Sequence, residues 1–97
     1  MARKKHGHVL EQMQSSAEAG RLILPDHVLD AMDDDDLLAV DIENAILTGG
    51  IVERQWDYEW EEWKYVIQGQ ATDGNEIEVV AKPGYNNATI LITVYRV

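Results

Sequence analysis

The sequence predicts an α+β fold, with two or three N-terminal helices packed on one face of a four-stranded, mostly antiparallel sheet. Apolar residues recur at helical spacing up to "TGG" at 48–50 and alternate with polar ones after it. Two turn-forming clusters, "TDGN" and "PGYNN", then divide the second half into strand-length pieces.

The first helix is expected over about 8–19, from the helical spacing of Val9, Leu10, Met13, Ala17 and Leu22, with Gly20 as a stop. "LPDHVLDAM" starts a second, with Pro25 in its first turn, Asp26 placing negative charge at its N-terminus, and Val28, Leu29 and Met32 as its apolar face. An Asp near position 36 is expected to cap a third helix. Leu37, Leu38, Ile42, Ala45 and Ile46 form its stripe, and Gly49 or Gly50 ends it. The run Asp33–Asp36 lacks the alternating oxygen ligands and the glycine of a calcium loop, so it reads as a charged junction between helices and not as a metal site.

In "QWDYEWEEWKYVI" and the residues just before it, Val52, Trp56, Tyr58 and Trp60 share one parity, and after Glu61-Glu62 the apolar parity flips to Trp63, Tyr65 and Ile67. A hairpin tipped at the two Glu would pair Trp60 with Trp63, Tyr58 with Tyr65 and Trp56 with Ile67. Its rings would then serve partly as core and partly as a cross-strand brace. Glu-Glu is a poor two-residue turn, and a wider tip is the alternative. Trp60 and Trp63, nearest the tip, are the rings most available to a partner. A three-residue loop at Asp73-Gly74-Asn75 would pair Gly69 with Val79 and Ile67 with Ala81. In the last strand Ile90, Ile92 and Val94 are expected on one face. Leu91, Thr93 and Tyr95 fall on the other, an open face shared with Lys64, Val66, Gln68, Glu78 and Val80.

Ninety-seven residues suit one domain, 1–97. Cysteine is absent, which excludes disulfides and thiolate chemistry. No cofactor motif or metal-ligand set is present to read, and His6, His8 and His27 are too scattered in the chain to argue for zinc. The N-terminal stretch has no apolar signal-peptide region and no run is long enough to span a membrane, so a cytoplasmic protein is expected. With 18 acids against 8 bases, the net charge of −10 argues against RNA or DNA as a partner. It serves solubility and complements basic partners.

From His27 onward the chain resembles a family of small prokaryotic domains of unknown function. The pieces that carry this are "HVLDAM", "DIENAILTGGIVE", Gly69, "DG" at 73–74 and "ITVY" at 92–95. They follow a pattern His-x3-Arg-Met, Asp-Ile/Val-x-x-Ala-Ile, Gly-x-Ile-x-Glu and Ile-Thr-Val-Tyr. Residues 1–22 then form an extra N-terminal helix, and 23–97 a toxin-like core. That family is similar to the RelE/BrnT group of toxin ribonucleases, and the resemblance implies a metal-independent RNA-cleaving site at His27, Thr93, Tyr95 and Arg96. Against the pattern, Ala31 and Asp35 stand where Arg is typical, and Glu78 where many members have His. All three changes disfavour phosphate.

A lone His at a helix start more often caps or packs than reacts. The leading expectation is therefore a non-catalytic interaction module whose partner, an unidentified protein, meets Trp60, Trp63, Glu78 and Leu91. Ribonuclease activity is the alternative. A homodimer through the apolar stretch "ATILITVY" is a third.

Overall fold

The structure, a computed structural model, describes residues 6–97. Three helices precede and flank the sheet: α1 (Gly7–Glu18), α2 (Asp26–Asp34) and α3 (Ala39–Thr48). The strands are β1 (Leu22–Ile23), β2 (Gly50–Asp57), β3 (Glu62–Gln70), β4 (Glu76–Pro83) and β5 (Thr89–Arg96). They lie in the order β1-β5-β4-β3-β2, antiparallel except for β1, which pairs parallel with β5. The sheet thus has five strands where the sequence led to four. A two-residue strand is too short to show any periodicity, and only its pairing with Thr89 and Ile90 makes it one. Among the described residues no helix is long and apolar enough to cross a membrane.

The helices end as their sequences dictate. Gly20, at φ 72, closes α1: the Gly20 amide reaches the Ala17 carbonyl and the Arg21 amide the Ser16 carbonyl. Asp36 plays the same part after α2 with φ 52, its amide meeting Asp33 and the Leu37 amide meeting Met32. Asp36 therefore ends α2 and does not cap α3, whose N-cap is Leu38. The four acids gather on the last turn of α2 and just past it, the end the helix dipole makes unfavourable for them. Two expected stripe residues are exposed, Leu29 and Leu38. The core takes Val28 and Met32 from α2, and Leu37, Ile42, Ala45 and Ile46 around α3.

Helix α3 is fixed to the sheet at two points. A Cβ on Gly69 would lie 2.0 Å from the Ala45 carbonyl oxygen, and one on Gly49 2.3 Å from that of Gln68, so helix and strand touch backbone to backbone. At the N-terminus of α3 the buried Asp41 carboxylate accepts the amide of Leu38 (2.8 Å) and, across the fold, the amide of Thr72 (2.9 Å) and its hydroxyl. These bonds, the Thr72 hydroxyl foremost and then the two amides, hold the Asp41 carboxyl below its ordinary value near 3.8.

The anchor at Thr72 also sets the β3–β4 register. Ala71 is buried and bonds to Asn75, so the connection spans 71–75 and pairs Gly69 with Ile77 and Ile67 with Val79. The three-residue loop expected from parity would have shifted this by two residues. The β2–β3 hairpin differs likewise: the turn is 58–61, Trp56 pairs with Trp63, and Arg54 with Tyr65. The Asp57 carboxylate accepts the amides of Glu59 (3.0 Å) and Trp60 (3.2 Å), which opens the turn before the two Glu are reached. Of the hairpin rings only Tyr65 joins the core; Trp56, Tyr58, Trp60 and Trp63 are exposed.

A bulge between β4 and β5 skips Ile92, so Leu91 and Val94 both face the helices. Leu91 is 1% exposed, which corrects its expected place on the open face. Ile90 takes that face instead, opposite Lys82.

Two stability measurements test this architecture. Gly69→Ala forces a methyl into the Ala45 carbonyl and is expected to cost about 3 kcal/mol or more, read as a lowered urea midpoint at unchanged m-value. Asp41 is depressed in the fold, so its contribution is present above its unfolded pKa, about 4, and lost as pH falls through the lower folded value. Asp41→Asn should therefore cost about 1.5–3 kcal/mol at neutral pH. The same variant should flatten the acid limb of a stability–pH curve.

Candidate functional site

The sheet separates the four residues that the toxin resemblance singles out. His27, in the first turn of α2, puts its Nε2 2.8 Å from the carbonyl of Ile92, the bulged residue of β5. A carbonyl only accepts, so Nε2 carries the proton. Arg96, paired with the core residue Ile77, points to the helix side. Its Nε donates to the Asp35 carbonyl (2.8 Å), and its guanidinium meets Asp73 (3.4 Å). Thr93 and Tyr95 face the opposite side, paired with Val80 and Glu78. Burial first, then the Glu78 and Glu53 carboxylates, raise the Tyr95 hydroxyl above its ordinary value of 10.0, so it stays protonated at neutral pH.

His27 and Asp35 instead close the edge of β5. Three outward-facing backbone groups of that strand are met: the Thr89 amide by the Arg21 carbonyl (2.9 Å), the Ile92 carbonyl by His27, and the Arg96 amide by the Asp35 carboxylate (3.2 Å). The apolar stretch expected to be a free edge is thus covered by β1 and α2. The outermost strand is β2, with Val52 half exposed.

The expected partner-binding residues also separate. Leu91 is in the core, and Glu78 is on the open face beside Tyr95. Trp63 lies on the helix side, edge-on to Trp56 at 5.1 Å, with the Arg54 guanidinium 3.8 Å over its ring. Trp60 lines a cleft on the open face, together with Glu62, Lys82, Pro83, Gly84, Tyr85 and Ile90, of about 490 Å³. Trp60 is 67% and Tyr85 89% exposed. Lys82 reaches across it to pair with Glu62, its ammonium 5.5 Å from the Trp60 ring centre.

This cleft is built by two turns far apart in sequence. The Asp57 carboxylate holds the first, with Glu61 at φ 52. The second has Asn86 and Asn87 at φ 55 and 58, closed by a bond from the Ala88 amide to the Tyr85 carbonyl (3.0 Å). Buried Ser16 of α1 donates to the Asn87 carbonyl and ties that turn to the helix layer. Tyr85, Lys82 and Ile90 had no signal in the sequence beyond an aromatic in a turn, because nothing local places them beside Trp60.

The role of His27 in closing the edge is testable. His27→Ala is expected to lower stability by about 1 kcal/mol, and His27→Gln, whose amide can still donate, to lose less. Chemical denaturation of both variants measures the difference.

Residues 24–96 match the model of a family described as a domain of unknown function, DUF4258. No curated protein and no solved structure matches the chain. The match begins at Leu24, takes in α2, α3 and β2 to β5, and leaves α1 and β1 outside it. By that match over most of its length, the chain belongs to the DUF4258 family of domains of unknown function.

Proposed function

We propose that the chain is a non-catalytic protein-interaction module on a scaffold like that of the RelE/BrnT toxins, and that it binds its partner in the Trp60–Tyr85 cleft. The cleft carries the reading: two rings, both more than half exposed, stand at it on two turns, one held by the Asp57 carboxylate and the other by the Ala88–Tyr85 backbone bond. Exposed aromatics beside a charged pair, as Trp60 and Tyr85 stand beside Lys82 and Glu62, are what interfaces concentrate. The order of helices followed by an antiparallel sheet supports the toxin-like scaffold. Its cleavage chemistry draws less support, since His27 and Arg96 are committed to backbone carbonyls across the sheet from Thr93 and Tyr95.

Selection of displayed random peptides on immobilised protein, with counter-selection on the Trp60→Ala/Tyr85→Ala variant, tests the module. Peptides that bind only the wild type are expected. Enrichment that is indifferent to the two rings would overturn the reading. In parallel, wild type should leave single-stranded and structured RNA uncut. Cleavage that His27→Ala and Arg96→Ala abolish would restore the ribonuclease reading.

The outer strand favours one second reading. β2 carries Val52 and Trp56 at an unpaired sheet edge and offers antiparallel pairing with a second copy. A dimer mass in solution that Val52→Lys reduces to a monomer would support it.

A further inference from the structure

We infer that the Trp60–Tyr85 cleft recognises a cationic side chain, Lys or Arg, presented by a basic segment of a partner protein. This rests on the interaction reading and names the chemistry of the partner. The protein's own Lys82 already shows what the cleft accommodates. Its side chain is only 18% exposed, paired with the Glu62 carboxylate and placed over the Trp60 ring, while Tyr85 stands at the same cleft. An ammonium between an aromatic face and a carboxylate is favourable twice, by the ring quadrupole and by charge.

The rim extends the same preference. Asp57, Glu59, Glu61 and Glu62 lie in or beside the turn, with no base between 55 and 63. Lys82 offsets Glu62 alone, and exposed Glu59 and Glu61 add negative charge on the turn that carries Trp60, in a chain whose net charge is −10. Such a surface concentrates cations and repels anions. An anionic ligand would find Lys82 already paired. A purely apolar segment would cover the Lys82–Glu62 pair without replacing its water. An incoming cation binds by displacing Lys82 on its flexible stem, an exchange that leaves neither the Glu62 carboxylate nor the ring without a cation. Lys82 is therefore an internal competitor, and the cleft is held closed to weak cations by the protein's own side chain.

Calorimetric titration at physiological salt, with short peptides of alternating Lys-Ala, Glu-Ala and Leu-Ser, tests the assignment. The Lys-Ala peptide is expected to bind the wild type. Trp60→Ala should weaken that binding about tenfold and Trp60→Phe less, the scale of a partly desolvated cation–ring contact. Lys82→Met should tighten it several-fold. Lys64→Met, which removes the same charge on the same face outside the cleft, should change it little. Lys-Ala binding equal in wild type, Trp60→Ala and Lys82→Met would mean diffuse attraction to an acidic surface and overturn the inference. Trp60-dependent binding of the Glu-Ala or Leu-Ser peptide in place of Lys-Ala would also overturn it, yet leave the interaction module standing. Binding of none of the three overturns it as well, and the peptide selection above then decides the broader reading separately.

Discussion

Helix α3 lies against strand β3 with the Ala45 carbonyl over the Cα of Gly69, a spacing no side chain at 69 would allow. Much of the fold follows from that contact. It brings the N-terminus of α3 to the β3–β4 turn, where one carboxylate, Asp41, serves the Leu38 amide and both donors of Thr72. Because Asp41 is buried, its lone pairs must be filled, and Thr72 is the group that fills them. With Thr72 fixed, Ala71 turns inward, the five-residue connection closes, and the register of β3 on β4 has no freedom left. The run Asp-Ile-x-x-Ala-Ile at 41–46 is thus a docking face: a carboxylate for the turn, two core residues, and an alanine small enough for the close approach.

The two edges of the sheet are treated differently. The β5 side is shut by β1, by His27 on the bulged carbonyl and by Asp35 on the Arg96 amide, so the apolar strand β5 is covered along its outer edge at Thr89, Ile92 and Arg96. Here Asp35 has a defined task, and Arg96 in return binds the carbonyl at the end of α2. The same contacts that stabilise the edge hold His27 and Arg96 away from Thr93 and Tyr95. Structural closure and a shared site on the sheet face compete for these side chains, and in this arrangement closure has them.

The aromatic hairpin illustrates how a small change of turn redistributes function. Had the strands run to Glu61-Glu62, the rings would have paired along one face and braced the core. Asp57 instead captures the Glu59 and Trp60 amides, the ladder stops at Asp57 and Glu62, and Trp60 swings to the opposite face from Trp63. There it meets Lys82 and the β4–β5 turn, whose paired Asn residues at positive φ hold Tyr85 outward. A cleft walled by Trp60 and Tyr85, with the Lys82–Glu62 pair inside it, results from two turns, neither of which contains it.

By itself the sequence determined the fold class, the three helices and the positions of the last two turns. Those depend on local periodicity and on residues such as Gly20, Pro25, Gly74 and the Asn pair, which act within a few positions of themselves. It also pointed to a family of small domains of unknown function, which the match over 24–96 shows. The tertiary structure decided the fifth strand, the registers of two hairpins, the face of Leu91 and the neighbours of Trp60. Most of those turn on a contact between distant residues: Thr89 with Leu22, Thr72 with Asp41, Ile92 with His27, Lys82 with Glu62. The β2–β3 register turns on the Asp57 carboxylate and the amides just after it. Alternation along a strand is unchanged by a shift of two residues and inverted by a single bulge, so parity alone leaves both open. Only the packing of α2, α3 and the two turns against the sheet selects among them.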